Sequence, residues 1–265
     1  LTIHFERQSR SIILEKIMRK ITISFLFITA LLVIPGFSKG RKSKLFDCSE
    51  AISKSVSFYN EGKYSKVKTT LENAKIQCGG SPLMDSILYY LGMADLKSKN
   101  YIEARTSFEL LAQDYHQSPF HKESQFRIGH AVYLQSQPSG RDQQETNEAI
   151  SLLRDFLDDN PEGPFTDSAR NYLDLCFEKL AKKDFDAANF YIKIDEFESA
   201  VICFKTFLQE HPQSKYVDQA RYTAAELLFK LKRNNESKEM LDALIQNSSD
   251  QVMISKAHGL LKQIQ

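Results

Sequence analysis

From about Asp47 onward, apolar residues recur with a helical rather than a strand period. After a small or β-branched residue, large apolar residues follow 4 and 7 positions later, which places them on one helical face. Val67, Leu71 and Ala74 form one such set, Ala104, Phe108 and Leu111 a second, and Ala200, Phe204 and Phe207 a third. An aromatic residue stands three positions before each set: Tyr64, Tyr101 and Phe197. A second amphipathic helix precedes each one, ending near Tyr59, Leu96 and Ile192. The pattern predicts helical hairpins in succession and an all-α chain.

Five such units can be counted. The first runs from about Asp47 to Gly80 and the second from about Asp85 to Ser118. The third begins at Glu123, carries Ile128 and Gly129, and resumes at Glu148-Ala149-Ile150 after a polar loop, Gln135 to Thr146. The fourth has a long lead helix, about Thr166 to Lys193, followed by Glu196 to His211. The fifth runs from Val217 to Gln246, and a last helix, about Asp250 to Ile264, caps the stack. The run Leu88-x-x-Leu91-Gly92, then Tyr101, Ala104, Phe108 and Leu111, looks like the tetratricopeptide (TPR) signature, as does Ala187-Ala188-x-x-Tyr191 followed by Phe197, Ala200, Phe204, Phe207 and Pro212. That resemblance implies a right-handed TPR solenoid of about five helical hairpins plus a C-terminal capping helix. Small residues let paired helices approach, large ones fill the gap, and proline ends the second helix. Terminal caps shield the last apolar face.

The N-terminal stretch reads differently. Ile21 to Ile34 carries no charge, follows Arg19 and Lys20, and precedes Pro35-Gly36-Phe37-Ser38. A basic flank, a short apolar run and small residues describe a secretory signal. Its fourteen residues span roughly 21 Å as a helix, short of a ~30 Å hydrocarbon core, though an uncleaved anchor is the alternative. Met18 stands where an initiator belongs, so residues 1–17 read as an over-extended start. The expected division is 1–40 for this start with its signal peptide or N-terminal anchor, 41–118 for the first two TPR units, 119–164 for the third with its loop, and 165–265 for the fourth, fifth and cap.

Export places the four cysteines, Cys48, Cys78, Cys176 and Cys203, in an oxidising compartment. Cys48 opens the first hairpin and Cys78 closes it, so a disulfide between them is sterically allowed. Cys176 and Cys203 fall at different heights of the fourth hairpin and read as small buried apolar residues. Lipidation of Cys48 is not expected, because Asp47 precedes it and Arg41, Lys42 and Lys44 separate it from the apolar run. With 35 Lys and Arg against 34 Asp and Glu, no basic field exists to hold nucleic acid. No CxxC spacing, phosphate loop or hydrolase motif appears, so neither metal, cofactor nor catalytic site is expected. His116, His121, His130, His211 and His258 read as structural, His211 as a helix-end residue before Pro212.

Beyond the repeats, three stretches resemble the BamD family of outer-membrane assembly components. They are Glu148 to Phe156 with Asn160-Pro161, Phe165 and Ala169; Leu180 to Tyr191 with Phe197 and Ala200; and His211-Pro212-x-Ser214-x-Tyr216. The likeness covers roughly residues 45 to 249. It implies a scaffold on the periplasmic side of the envelope, associated with the outer membrane directly through the N-terminal segment or indirectly. The implied partners are unfolded outer-membrane proteins at the N-terminal repeats and a POTRA-bearing barrel subunit at the C-terminal ones. The alternative is a periplasmic TPR scaffold of cell-wall synthesis or division, a class that often carries a coiled coil before its repeats; Lys39 to Lys44 is too short for one.

In a TPR unit the lead helices line the concave surface. Tyr59, Tyr89, Met93, Lys97, Phe126, His130 and Tyr133 are expected there in the first three units, forming a groove for an aromatic-rich peptide whose carboxylate meets Lys97. The other reading is that neighbouring helices cover these residues. In the last two units Phe185, Ile192, Tyr222 and Phe229 are expected to anchor a folded partner.

Overall fold

Residues 46–264 are described by the computed structural model; the expected signal segment and the Met18 start lie outside them. The helical period is realised as eleven helices among the described residues. Five hairpins follow one another: α1 (Cys48–Asn60) with α2 (Tyr64–Gln77), α3 (Met84–Lys97) with α4 (Tyr101–Asp114), α5 (His121–Gln135) with α6 (Gln144–Asp159), α7 (Thr166–Lys193) with α8 (Phe197–Glu210), and α9 (Val217–Lys230) with α10 (Asn234–Asn247). The final helix, α11 (Gln251–Ile264), packs on both α9 and α10. Each helix packs chiefly on its sequence neighbours, the arrangement of a TPR solenoid.

Four of the five hairpins turn in the same way. The residue two before the second helix adopts a left-handed backbone: Gly62 (φ 73°), Lys99 (62°), Asp195 (60°) and Lys232 (63°). The next N–H reaches back five residues to close the lead helix, Lys63 to Phe58 O and Arg233 to Leu228 O at 2.8 Å, Asn100 to Asp95 O and Glu196 to Tyr191 O at 2.9 Å. This is the Schellman closure of a helix end. Only Gly62 adopts it without steric penalty.

The third hairpin connects through residues 136–143 instead. The expected polar loop, 135–146, is shorter than that, because α5 includes Gln135 and α6 starts at Gln144. Gln143 is buried and folds the loop around itself. Its Nε2 lies 2.8–3.1 Å from the carbonyls of Pro138, Arg141 and Asp142, and its Oε1 accepts from Thr146 Oγ1 at 2.7 Å.

Successive hairpins are joined by a repeated serine turn. Ser118, Ser214 and Ser248 each cap a backbone N–H two residues on. Each hydroxyl also donates to a carboxylate of the lead helix just completed: Ser118 to Asp85 at 2.7 Å, Ser214 to Glu178 at 3.2 Å, Ser248 to Asp218 at 2.6 Å. Asp85 and Asp218 lie in the first turns of α3 and α9, but Glu178 lies midway along α7. The fourth unit thus begins inside a continuous helix. The first half of α7 packs with Phe126, Leu153 and Phe156 through Ala169 and Cys176, and its second half packs on Phe204 and Phe207 through Ala181 and Ala188.

Three expected interface residues lie in the core. Phe126 is 2% exposed and His130 9%. The extra half of α7 covers them: Phe165 stacks on Phe126 at 5.7 Å, and the Tyr172 ring lies 4.3 Å from that of His130. Phe185 is 9% exposed. Tyr216 stacks on it at 5.0 Å, with Phe204 and Phe207 on its edges. None of the three presents a face to a ligand.

Two predictions follow from this packing. A Cβ at Gly92 would lie 2.7 Å from Phe108 Cζ, so Gly92→Ala forces α3 from α4; about 1–3 kcal/mol of stability should be lost in urea unfolding. Burial first, then Arg127 and Lys97, hold the His130 pKa down at about 4 against 6.5 for a free imidazole. The unfolded chain therefore takes up this proton at higher pH than the folded one. The stability it contributes is complete above pH 6.5 and is lost as pH falls toward 4. His130→Phe should remove that component, so wild type loses about 2–3 kcal/mol more than the variant between pH 7.5 and 4.5, read as the difference between the two stability curves.

Candidate peptide and partner interface

The four-residue spacing of Tyr89, Met93 and Lys97 places them in one line along α3. Tyr89 and Met93 are half-buried and Lys97 is exposed. The Tyr89 ring stacks on Phe120 with centroids 4.2 Å apart and planes at 14°. Its hydroxyl crosses to α5 and donates to Glu123 Oε2 at 3.0 Å. Burial, then the Glu123 charge, push the Tyr89 pKa far above that of free tyrosine, so it remains a donor at any physiological pH.

Glu123 is shared. Arg127, one turn further on α5, donates to Glu123 Oε1 through Nη2 at 2.8 Å and Nε at 3.1 Å. The Arg127 guanidinium lies 5.2 Å from the Phe126 ring centre. Its charge is thus matched inside the repeat, while Lys97 stands exposed at the end of the Tyr89–Met93 line. Tyr59 joins this assembly from α1. Its ring lies 5.5 Å from Tyr64 and 6.2 Å from Tyr90, and burial, then Tyr64, raise its pKa.

Tyr133 belongs to a second cluster. Its ring lies 5.2 Å from Tyr172 and 4.6 Å beneath Lys179 Nζ, both on α7. Of the seven expected groove residues, Tyr59, Tyr89, Met93 and Lys97 lie on the lead helices of the first two hairpins, α1 and α3. Tyr133 lies beyond Phe126 and His130, which are core.

At the C-terminal end, Ile192 packs half-buried on the core of the fourth hairpin. Tyr222 and Phe229 pack half-buried on the core that α9 and α10 share with the capping helix. Two exposed apolar residues of this region stand next to each other, Phe190 at 56% and Ile194 at 48%, one turn apart at the end of α7. A helical wheel carries the signal for them, since they lie opposite Phe185, Ala188 and Ile192. A reading that looks for one apolar stripe per helix passes over the second.

Among the described residues, one set of side chains is close enough to share a metal ion, Asp184, Glu210 and His211, with ligand atoms within 4.8 Å of one another. His211 Nε2 already meets Asp184 Oδ2 at 2.8 Å. The pair ties the end of α8 to α7 beside a cleft of about 620 Å³ that also contains Asp174, Phe177 and Glu178. The expected helix-end role of His211 thus takes a tertiary form. Among the described residues, no helix is long and apolar enough to cross a membrane.

Comparison with known proteins adds to this geometry. The TPR2AB domain of yeast Sti1 aligns with 82% of this chain and 83% of its own at 13% identity and a TM-score of 0.46. A TPR protein of Thermus thermophilus aligns with 81% of this chain and 99% of its own at 18% identity and a TM-score of 0.35. The outer membrane protein assembly factor BamD of Caulobacter vibrioides is 23% identical over 158 residues, 60% of this chain and 50% of that relative. The match thus spans half the length of that relative. The model of the YfiO family, described as outer membrane lipoproteins, matches residues 47–244, from the first turn of α1 into the last turns of α10. The chain belongs to the YfiO family.

Proposed function

We propose that this chain is a non-enzymatic scaffold of the outer-membrane β-barrel assembly machinery, working on the periplasmic side of the envelope. In this reading its N-terminal repeats receive barrel-targeting peptides and its C-terminal repeats hold a POTRA-bearing barrel subunit. The observation that carries the proposal is the family match across all five hairpins, supported by the likeness to an outer membrane protein assembly factor.

The N-terminal groove suits such a peptide in chemistry. A barrel's terminal strand alternates apolar and aromatic side chains and ends in a carboxylate. Tyr59, Tyr89 and Met93 offer adaptable apolar contact. Lys97 offers an exposed cation at the end of that line. At the other end, Phe190 and Ile194 form an adjacent apolar pair bordered by Lys193, Asp195 and Glu196, an aromatic anchor with a charged rim. Attachment to the membrane is not through Cys48, whose sulfur is bonded to Cys78.

Two experiments test the two ends. Fluorescence anisotropy with a labelled C-terminal strand peptide should give a roughly tenfold weaker Kd for Lys97→Ala, since a charge-assisted hydrogen bond contributes about 1.5–3 kcal/mol. Amidating the peptide's carboxylate should weaken wild-type binding equally and leave Lys97→Ala unchanged; equal loss in both proteins would remove Lys97 from the site. At the other end, a C-terminally tagged chain should co-purify with a barrel subunit bearing POTRA domains. Phe190→Glu with Ile194→Glu should abolish that recovery, whereas Ile202→Glu, an exposed isoleucine of α8, should leave it intact. Recovery of wall or division proteins in place of a barrel would overturn the reading.

A further inference from the structure

The first hairpin is held by different means from the rest. Its lead helix, α1, contributes only Ala51 and Ser55 as buried residues. Every other lead helix buries at least one large apolar side chain, such as Ile87 in α3, Phe126 in α5 or Leu228 in α9. The partner helix α2 is well anchored, with Val67, Leu71 and Ala74 in one core with Ile87 and Leu91. Ile52, Phe58 and Tyr59 of α1 also pack on that core but are only half-buried, so α1 sends no large side chain fully into the core and packing holds it less firmly than the other lead helices. At the opposite end of the stack the terminal helix is secured by packing, through Ala257, Leu260 and Ile264 of α11.

The further restraint on α1 is covalent. Cys48, the first residue of α1, is joined to Cys78, immediately after α2, with Cα atoms 6.1 Å apart across a sequence separation of 30. Cys78 is buried, while Cys48 is half-exposed and open to an incoming thiolate. The remaining cysteines, Cys176 and Cys203, are free, so this is the one bond in the chain that a reductant can break.

We propose that the Cys48–Cys78 disulfide is a redox latch on α1, and thereby on the Tyr59 end of the groove. A dithiol reductant attacks the half-exposed Cys48 sulfur, giving a mixed disulfide and freeing the Cys78 thiolate, which takes up a proton. The second thiol of the reductant then displaces Cys48, which also leaves as a thiolate and is protonated. Two electrons pass to the protein, two protein thiols form, and the reductant becomes a disulfide. Helix α1 then separates from α2 and α3, while the α2–α3–α4 core remains. Tyr59 leaves its contacts with Tyr64 and Tyr90, and the groove loses its first unit. The effect on peptide binding rests on the function proposed above; the latch itself does not.

Hydrogen exchange read by mass spectrometry on the full chain, with and without dithiothreitol, tests the latch. Reduction should accelerate exchange across 48–60 on the order of 100-fold while leaving α3 to α11 unchanged. The Cys48→Ser, Cys78→Ser double variant should reproduce this without reductant. Unchanged protection of α1 would overturn the proposal, and so would loss of protection spread evenly over α1 to α4, which would make the disulfide a staple of the whole end. Peptide affinity measured in the same two states should fall severalfold on reduction. Equal affinity with a released α1 would detach Tyr59 from the groove and restrict the latch to α1. Absence of peptide binding in both states would count against the groove alone, since exchange reads α1 directly.

Discussion

The solenoid depends on one steric relation repeated from the second hairpin to the fifth: a residue without bulk on the lead helix faces a large side chain on its partner. Gly92 sits against Phe108, and Gly129 against Leu153, where an added Cβ would come within 3.0 Å. Elsewhere alanine takes the same role, Ala188 beside Phe204 and Ala225 beside Leu241. Interiors packed to crystal-like density cannot absorb an extra methyl without shifting a helix. Close approach fixes the separation within a hairpin, and the separation fixes which faces remain for the next. The hairpins then need only be held in order. Turn serines do this in three units by tying the end of the unit to an acid of its own lead helix, as Ser118 does with Asp85 and Ser248 with Asp218.

That relation explains why the hairpins were legible in the sequence and why some details were not. Small and large residues at offsets of 4 and 7 define both the helix and its partner, so the five units and the long α7 emerge from periodicity alone. The turns do not, because Lys99, Asp195 and Lys232 take a left-handed backbone that composition assigns to glycine. Their strain is offset by the Schellman hydrogen bonds, which are invisible to residue type. The groove was harder still. The rule that lead helices line the concave face treats each unit as half-exposed. It fails for Phe126 and His130 because α7 begins half a helix early and lays Phe165 and Tyr172 over them. Phe185 fails for a related reason, since Tyr216 of the following turn closes over it.

The early start of α7 has a second effect. A helix twice the usual length couples the third and fourth hairpins rigidly, with Glu178 receiving the turn of Ser214 and Lys215 midway along it. The first hairpin has no such shared helix: α1 rests on Ala51 and Ser55, on the half-buried Ile52, Phe58 and Tyr59, and on one disulfide. Rigidity therefore differs between the two ends. The C-terminal half presents Phe190 and Ile194 from a fixed frame, which suits a folded partner whose own surface is rigid. The N-terminal half presents Tyr59 from a lead helix held by half-buried side chains and one disulfide, which in the proposed function suits an extended chain that must be admitted and released.

Electrostatics sharpen the same division. In the groove, Glu123 accepts from Tyr89 and from both donors of Arg127, so the repeat consumes its own acid and its own arginine. A second internal pair does likewise at Asp95, which is buried and accepts from Lys68 and from Asn100 at 3.1 Å. With these charges satisfied inside, a ligand entering the Tyr89–Met93 line meets apolar surface first and an exposed cation, Lys97, only at its end. A chain of apolar and aromatic side chains with one terminal carboxylate is matched in that order. A peptide with internal charges would have to leave them unpaired against Tyr59, Tyr89 and Met93, at the desolvation cost that buried charge carries. In the proposed function, selectivity for chain ends over internal segments would come from where Lys97 stands, not from the shape of the groove.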